Sequence, residues 1–290
     1  MSARKGLLGN AELSNPGLES TTKQRANVGF GIRRESAMKI LRSWAFDAAW
    51  ILWTAPFGIV IPVLWLLGSP PKAVRKFTRI WARGVLFGLS WIVGLDFREE
   101  GRSNIPPEPC LIICNHQSVW ETLAALVLFP EVSIIAKDEL LGIPILGWFL
   151  KNSPMIVIAR GSAASSLRKM KVEGAAALSE GRSVLIFPEG TRKSAHEQVH
   201  FKRGVELLYG ALGAKVLPVV VDSGKFWGVG GSLKKPGTIT VSYLPVLEPG
   251  LDITEFARDA EFRMQAERAR QLMRNPCALR SDSRKADDRE

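Results

Sequence analysis

Cysteine is scarce: there are three in 290 residues. So few thiols cannot build a disulfide scaffold, and an odd number suits a reducing compartment. Histidine is as rare, so any imidazole chemistry must use His116, His196 or His200. No internal repeat is present, which sets aside solenoids and propellers. No apolar stretch follows the first basic residues closely enough to make a secretory signal. Mean hydropathy is only +0.06, far below that of a chain folded mostly inside a bilayer. Yet 46% of residues are hydrophobic, which excludes a wholly disordered chain. Acidic residues are outnumbered, 28 against 39 basic ones, leaving a net charge of +11. That balance calls for a polyanionic partner: nucleic acid, anionic lipid or a phosphorylated substrate.

Residues 1–36 are polar and rich in Gly, Ser, Asn and Thr, and are expected to be a flexible leader. Residues 48–71 hold no charged side chain and no His, a length that can span a bilayer. Pro56, Gly58 and Pro62 interrupt the run, and Asp47 sits at its edge. A second apolar run, 84–95, is too short to cross. Between the two lie Lys72, Arg75, Lys76, Arg79 and Arg83, and six of the nine tryptophans fall in this region. Trp gathers at membrane–water boundaries and Lys/Arg beside anionic headgroups. Residues 37–95 are therefore expected to form a membrane-associating pair of helices, broken or tilted in one leaflet, or one span plus an interfacial helix. A buried helical hairpin of a soluble protein is the alternative. The basic flanks would place the surface on the cytoplasmic side. Positive charge interleaved with Trp in apolar context does not suit a nucleic-acid partner.

From residue 96 the pattern changes. Short β-branched runs at 110–114, 132–136, 155–159, 183–187, 215–221 and 238–244 alternate with helical stretches at 118–128, 163–179, 204–212 and 253–273. Near-continuous apolar strands are buried on both faces. The fold class is therefore α/β: a mixed, largely parallel sheet flanked by helices over 96–274, preceded by the apolar two-helix element. Residues 275–290 read as a charged, disordered tail.

His116 follows the first of these strands and Glu121 lies five residues on. Five positions apart on one helix point about 140° apart. The two meet only if His116 precedes the helix and Glu121 sits in its first turn. Ser118-x-x-Glu121 has capping-box spacing, which favours that geometry and also offers a purely structural role for Glu121. A second cluster, Phe187-Pro188-Glu189-Gly190-Thr191-Arg192, closes another strand, at the edge where α/β sheets hold ligands. Thr191 and Arg192 bring a hydroxyl and a guanidinium suited to phosphate. Arg160 and Lys202 would reach the same edge. His196-Glu197-x-x-His200 matches the zinc-hydrolase pattern, but lacks a third ligand at usual spacing.

Asn115-His116-x4-Glu121, Ile156–Arg160, Phe187–Arg192 and Leu217-Pro218-Val219 resemble the four ordered blocks of glycerolipid acyltransferases. Within that family the chain is most similar to bacterial 1-acyl-sn-glycerol-3-phosphate acyltransferases. Lys137-Asp138-Glu139-Leu140 resembles the segment between the first two blocks. Glu121 stands where Asp is commoner, and Ala159 where many members have Asp. The resemblance implies that His116 is a general base and Glu121 its orienting acid. It implies a glycerol-phosphate pocket of Arg160, Glu189, Gly190, Thr191 and Arg192, with Lys137 and Lys202 beside them. The acceptor would be lysophosphatidate, or another lysolipid such as a lyso-ornithine lipid. The acyl donor would be acyl-CoA or acyl carrier protein as co-substrate, with no cofactor and no metal, at the cytoplasmic face of a bacterial inner membrane.

Overall fold

The computed structural model describes residues 16–159, 163–231 and 233–274. Seven strands form one sheet: β1 (Leu95–Glu100), β2 (Leu111–Cys114), β3 (Val132–Lys137), β4 (Ile156–Ile158), β5 (Ser183–Ile186), β6 (Val216–Val221) and β7 (Gly237–Tyr243). Their order is β1-β7-β6-β2-β5-β3-β4. The five from β6 to β4 are mutually parallel. β7 runs antiparallel to β6 and pairs in parallel with β1. Helices α1 (Pro16–Leu66), α2 (Pro71–Gly88), α3 (Trp120–Leu128), α4 (Leu146–Asn152), α5 (Ala163–Ser179), α6 (Arg203–Leu212) and α7 (Ile253–Arg274) complete the fold.

The apolar runs explain the layering. Every residue of β2 is buried, and successive side chains go to opposite faces. Ile112 and Cys114 join Leu185, Val219, Trp120 and Val85 on the α1–α3 side. Leu111 and Ile113 join Val184, Val220, Met170, Leu208 and Phe256 on the α5–α7 side. Two cores thus sandwich the sheet, and helical crossovers keep the middle strands parallel.

The N-terminal element differs from expectation in three ways. Residues 16–35, read as leader, continue α1, with Pro16 in the first turn where proline's fixed φ suits a helix; residues 1–15 lie outside the described residues. Pro56 and Pro62 do not break α1. Proline removes a helical donor, but a packed neighbour can hold the helix across the gap. Here α2 does so: Trp53 Nε1 donates to Trp81 O, and Trp81 Nε1 to Thr54 Oγ1, both at 3.0 Å. The run 84–95 is not a second apolar helix. It comprises the end of α2, a π-helical turn at Leu89–Val93 and the start of β1, with Leu89, Val93 and Leu95 in the core. α2 is amphipathic, burying Val74, Trp81, Ala82, Val85 and Leu86 while Lys72, Lys76 and Arg83 are exposed. Among the described residues only Ser36–Leu66 is long and apolar enough to cross a membrane.

Lys234 fastens α1 to the sheet domain. Its N–H donates to Ser43 Oγ at 2.9 Å, its ammonium pairs with Asp47, and it lies over the rings of Phe46 and Trp227. The expected tail, 275–290, lies outside the described residues.

Candidate active site

β2 and β5 are parallel neighbours, so the chain leaves both strands side by side at one carboxyl edge. Asn115 extends β2 by one residue. Its amide donates to Val221 O at 2.9 Å and accepts from Val221 N at 2.8 Å, copying a strand's pairing with β6. His116 then leaves the sheet.

α3 begins at Trp120, so Glu121 occupies its first turn and His116 precedes it, as the spacing requires. His116 Nδ1 lies 2.9 Å from Glu121 Oε1. Glu121 also accepts from Gln117 N, from Ser118 N at 2.6 Å, from Ser118 Oγ at 2.9 Å and from Ser223 Oγ at 2.7 Å. Burial pushes this carboxyl upward, but the bond and charge of His116 and the Ser donors outweigh it and hold Glu121 below its ordinary range. When the ring is neutral, an ionised Glu121 keeps its proton on Nδ1, which leaves the Nε2 lone pair free. Among the described residues nothing bonds to Nε2. The ring stacks on Phe187 at 4.1 Å, and the side chain is 18% exposed. Capping and orienting therefore coexist: Glu121 holds the helix start and the imidazole at once.

The Phe187–Arg192 loop grips the same histidine by its main chain. Glu189 Oε2 accepts from His116 N at 2.6 Å, and Lys193 N donates to His116 O at 2.7 Å. Glu189 thus departs from the expected phosphate contact: its carboxylate turns inward onto a peptide N–H, and a carboxylate repels phosphate. Its Oε1 is buried with no partner among the described residues. Burial raises the Glu189 carboxyl to about 7.

Gly190 adopts φ +64, a conformation that costs little only without a side chain. A Cβ there would lie 3.0 Å from Lys202 Nζ, so Lys202 lies over the loop. Thr191 and Arg192 are exposed at its tip. Lys137 ends β3, the strand beside β5, and so shares this edge. Among the described residues no side chain pairs with the charged ends of Lys137, Arg192 or Lys202. Arg160 lies outside the described residues.

His196 and His200 do not form the zinc-hydrolase arrangement that their spacing matches. Their segment is not helical, so four-residue spacing does not put them on one face, and both are exposed. Glu197 is occupied by Lys193 Nζ at 2.7 Å and Ser194 N at 2.9 Å. Among the described residues no three His, Cys, Asp or Glu side chains gather as a metal site.

A family model described as Acyltransferase matches residues 96–222. The 1-acyl-sn-glycerol-3-phosphate acyltransferase of Pseudomonas aeruginosa is 33% identical over 202 residues, spanning 69% of this chain and 77% of the relative. The chain belongs to the 1-acyl-sn-glycerol-3-phosphate acyltransferase family. The human acyltransferase named beta is 30% identical over 160 residues, 54% of this chain and 58% of that one. The crystal structure of the Thermotoga maritima acyltransferase PlsC superposes with a TM-score of 0.66 at 20% identity, covering 80% of this chain and 97% of that one, a likeness of fold.

Four residues brace the His116–Glu121 pair in ways a sequence reading does not reveal. Asn115 carries a faint signal, a polar residue directly after a buried strand. Ser223 and Phe187 bear on His116–Glu121 from other strands' ends, about 102 and 71 positions away in sequence, where local pattern is silent. Gln117, whose Oε1 accepts from Gly224 N at 2.9 Å, ties the same turn to the segment after β6.

Proposed function

We propose that this acyltransferase moves a fatty acyl group from a thioester to the 2-hydroxyl of 1-acyl-sn-glycerol 3-phosphate, giving phosphatidate and a free thiol. His116 Nε2 takes the hydroxyl proton as the oxygen attacks the thioester carbonyl. The C–S bond then breaks and the imidazolium returns the proton to the thiolate. Glu121 fixes the tautomer and stabilises the imidazolium, the role of the acid in a triad. The acceptor is its own nucleophile, so no acyl-enzyme forms. Arg192, Thr191, Lys202 and Lys137, together with Arg160, would hold the phosphate, and Gly190 lets its loop approach it. The donor is acyl-CoA or acyl carrier protein, and the residues require neither metal nor cofactor. α1 would dock the site at the cytoplasmic face of the membrane, with the basic residues of α2 on anionic lipid and no part for nucleic acid.

The observation that carries this reading is an imidazole fixed at Nδ1 and open at Nε2, on a sheet edge whose cations are unpaired among the described residues. Thiol release from an acyl thioester, with lysophosphatidate as acceptor and the protein in detergent, tests it. His116→Ala should lower kcat roughly 10²–10⁴-fold. Arg192→Ala should raise KM for lysophosphatidate about 10-fold or more, while a neutral lysolipid is little affected. Equal losses on both acceptors point to a different lysolipid, and full activity of His116→Ala rejects the mechanism.

A further inference from the structure

α7 lies outside the matched family segment, yet one of its side chains reaches the active-site loop. Arg268 is only 4% exposed. Its Nη2 donates to Ala195 O at 2.9 Å, the carbonyl just beyond the loop that holds His116. Its Nη1 is buried with no partner among the described residues. Glu189 Oε1 is in the same condition. The two do not bond directly, yet the Arg268 charge bears on Glu189; buried groups of opposite charge left unmatched are costly unless a water joins them. Glu189 in turn holds the His116 peptide N–H through Oε2.

We propose that Arg268 is a positioning residue for the transfer reaction: its guanidinium fixes the 194–195 turn and bears on the Glu189 carboxyl group, whose Oε2 keeps the His116 main chain in place. The proposal rests on His116 being the base. The charges bearing on Glu189 are Arg268, Glu121 and Lys193; the buried Cys114 thiol nearby stays neutral, and Glu197 also bears on Arg268. Of these, Arg268 is the largest opposing charge to the burial that disfavours a Glu189 carboxylate. Without it Glu189 takes up a proton at higher pH. A neutral acid binds the His116 N–H more weakly than a carboxylate does.

The test is the pH profile of kcat for wild type, Arg268→Gln and Arg268→Lys. Arg268→Gln should lower kcat by about 10-fold near pH 6.5 and by less than about 3-fold near pH 9, the acid limb moving up by roughly one pH unit with little change in KM. Arg268→Lys should restore most of the limb. In a Glu189→Gln background, which cannot ionise, the Arg268→Gln change should no longer move it. A pH-independent loss, or a profile identical to wild type, overturns the proposal. Amide hydrogen exchange gives a second readout that needs no turnover. Arg268→Gln should speed exchange at His116 and Lys193 more than about 10-fold while β2 and β5 stay protected. If wild-type protein transfers no acyl group, the functional reading fails alone, and unchanged exchange at His116 would then reject the role of Arg268 separately.

Discussion

At the scale of single residues, two glutamates touch the same histidine and are held in opposite senses. Glu121 receives five donors and sits below its ordinary range; Glu189 receives one N–H donor, with Arg268 and Lys193 as its cationic neighbours, and under burial rises to about 7. The consequences for stability have opposite signs. The folded state disfavours a proton on Glu121, so its contribution is present above the ordinary value of 4.5 and lost as pH falls through its lower folded value. The folded state favours a proton on Glu189, so its contribution is complete below 4.5 and lost as pH rises through about 7. At pH 8 the ionised Glu189 therefore costs up to about 3 kcal/mol. Glu189→Gln should raise Tm at pH 8, by roughly 2–4 °C for each kcal/mol relieved, and leave it unchanged near pH 4. Glu121→Gln should lower Tm at pH 8, less so below pH 4, and lower kcat about 10²-fold or more. Thermal unfolding of both variants across pH reads this directly, and equal shifts at every pH would contradict it. The His116–Glu121 pair was legible because Ser118-x-x-Glu121 marks a helix start, which fixes the relative placement of all three residues. The inward turn of Glu189 was not, because a Pro-Glu-Gly turn has the same sequence whether its acid faces substrate or core.

Among elements, buried strands were the easiest to read and the N-terminal helices the hardest. β2, β5 and β6 are apolar at nearly every position, since helices cover both faces of the sheet. β1 was missed because Leu95-Asp96-Phe97-Arg98-Glu99-Glu100 occupies the sheet's edge, where half its side chains meet water. α4 was missed because seven residues cannot display a helical period. The joint between α1 and α2 depends on a single small residue. A Cβ on Gly84 would lie 2.2 Å from the Trp53 ring, too close for the rigid indole to accommodate by a small shift. Gly84→Ala should therefore push Trp53 off its hydrogen bond to Trp81 O and cost about 1–3 kcal/mol. Tryptophan fluorescence and proteolysis between α1 and α2 should report the loosening, while the His116–Glu121 pair, built on β2 and α3, stays intact. A variant as stable and as protease-resistant as wild type would show that the contact is slack.

For the whole molecule, the question is how α1 and α2 would seat the candidate site at a membrane. Ser36–Leu66 extends about 46 Å as a helix, against about 30 Å of bilayer hydrocarbon. Phe46, Phe57 and Leu64 of α1 are buried against the protein, whereas Ile51, Leu52 and Ile59 are more than 70% exposed. Phe87 and Trp91, at the end of α2 and in the turn after it, are exposed too. The basic set of α2 is smaller than composition suggests. Arg75 and Arg79 pair with Glu131 and brace α2 against the domain, leaving Lys72, Lys76 and Arg83 exposed for anionic headgroups. Two forces with different salt dependence follow. The apolar face should bind regardless of ionic strength, and each free cation should add about 1 kcal/mol only on anionic membranes at low salt. Vesicle co-sedimentation separates them. Replacing Lys72, Lys76 and Arg83 with Gln should weaken binding to vesicles rich in phosphatidylglycerol by about 10²-fold at low salt, and leave binding to neutral vesicles unchanged. Replacing Ile51, Leu52 and Ile59 with Ser should weaken binding to both at any salt. If instead the triple Gln variant loses neutral vesicles equally, α2 touches lipid through packing and not through charge.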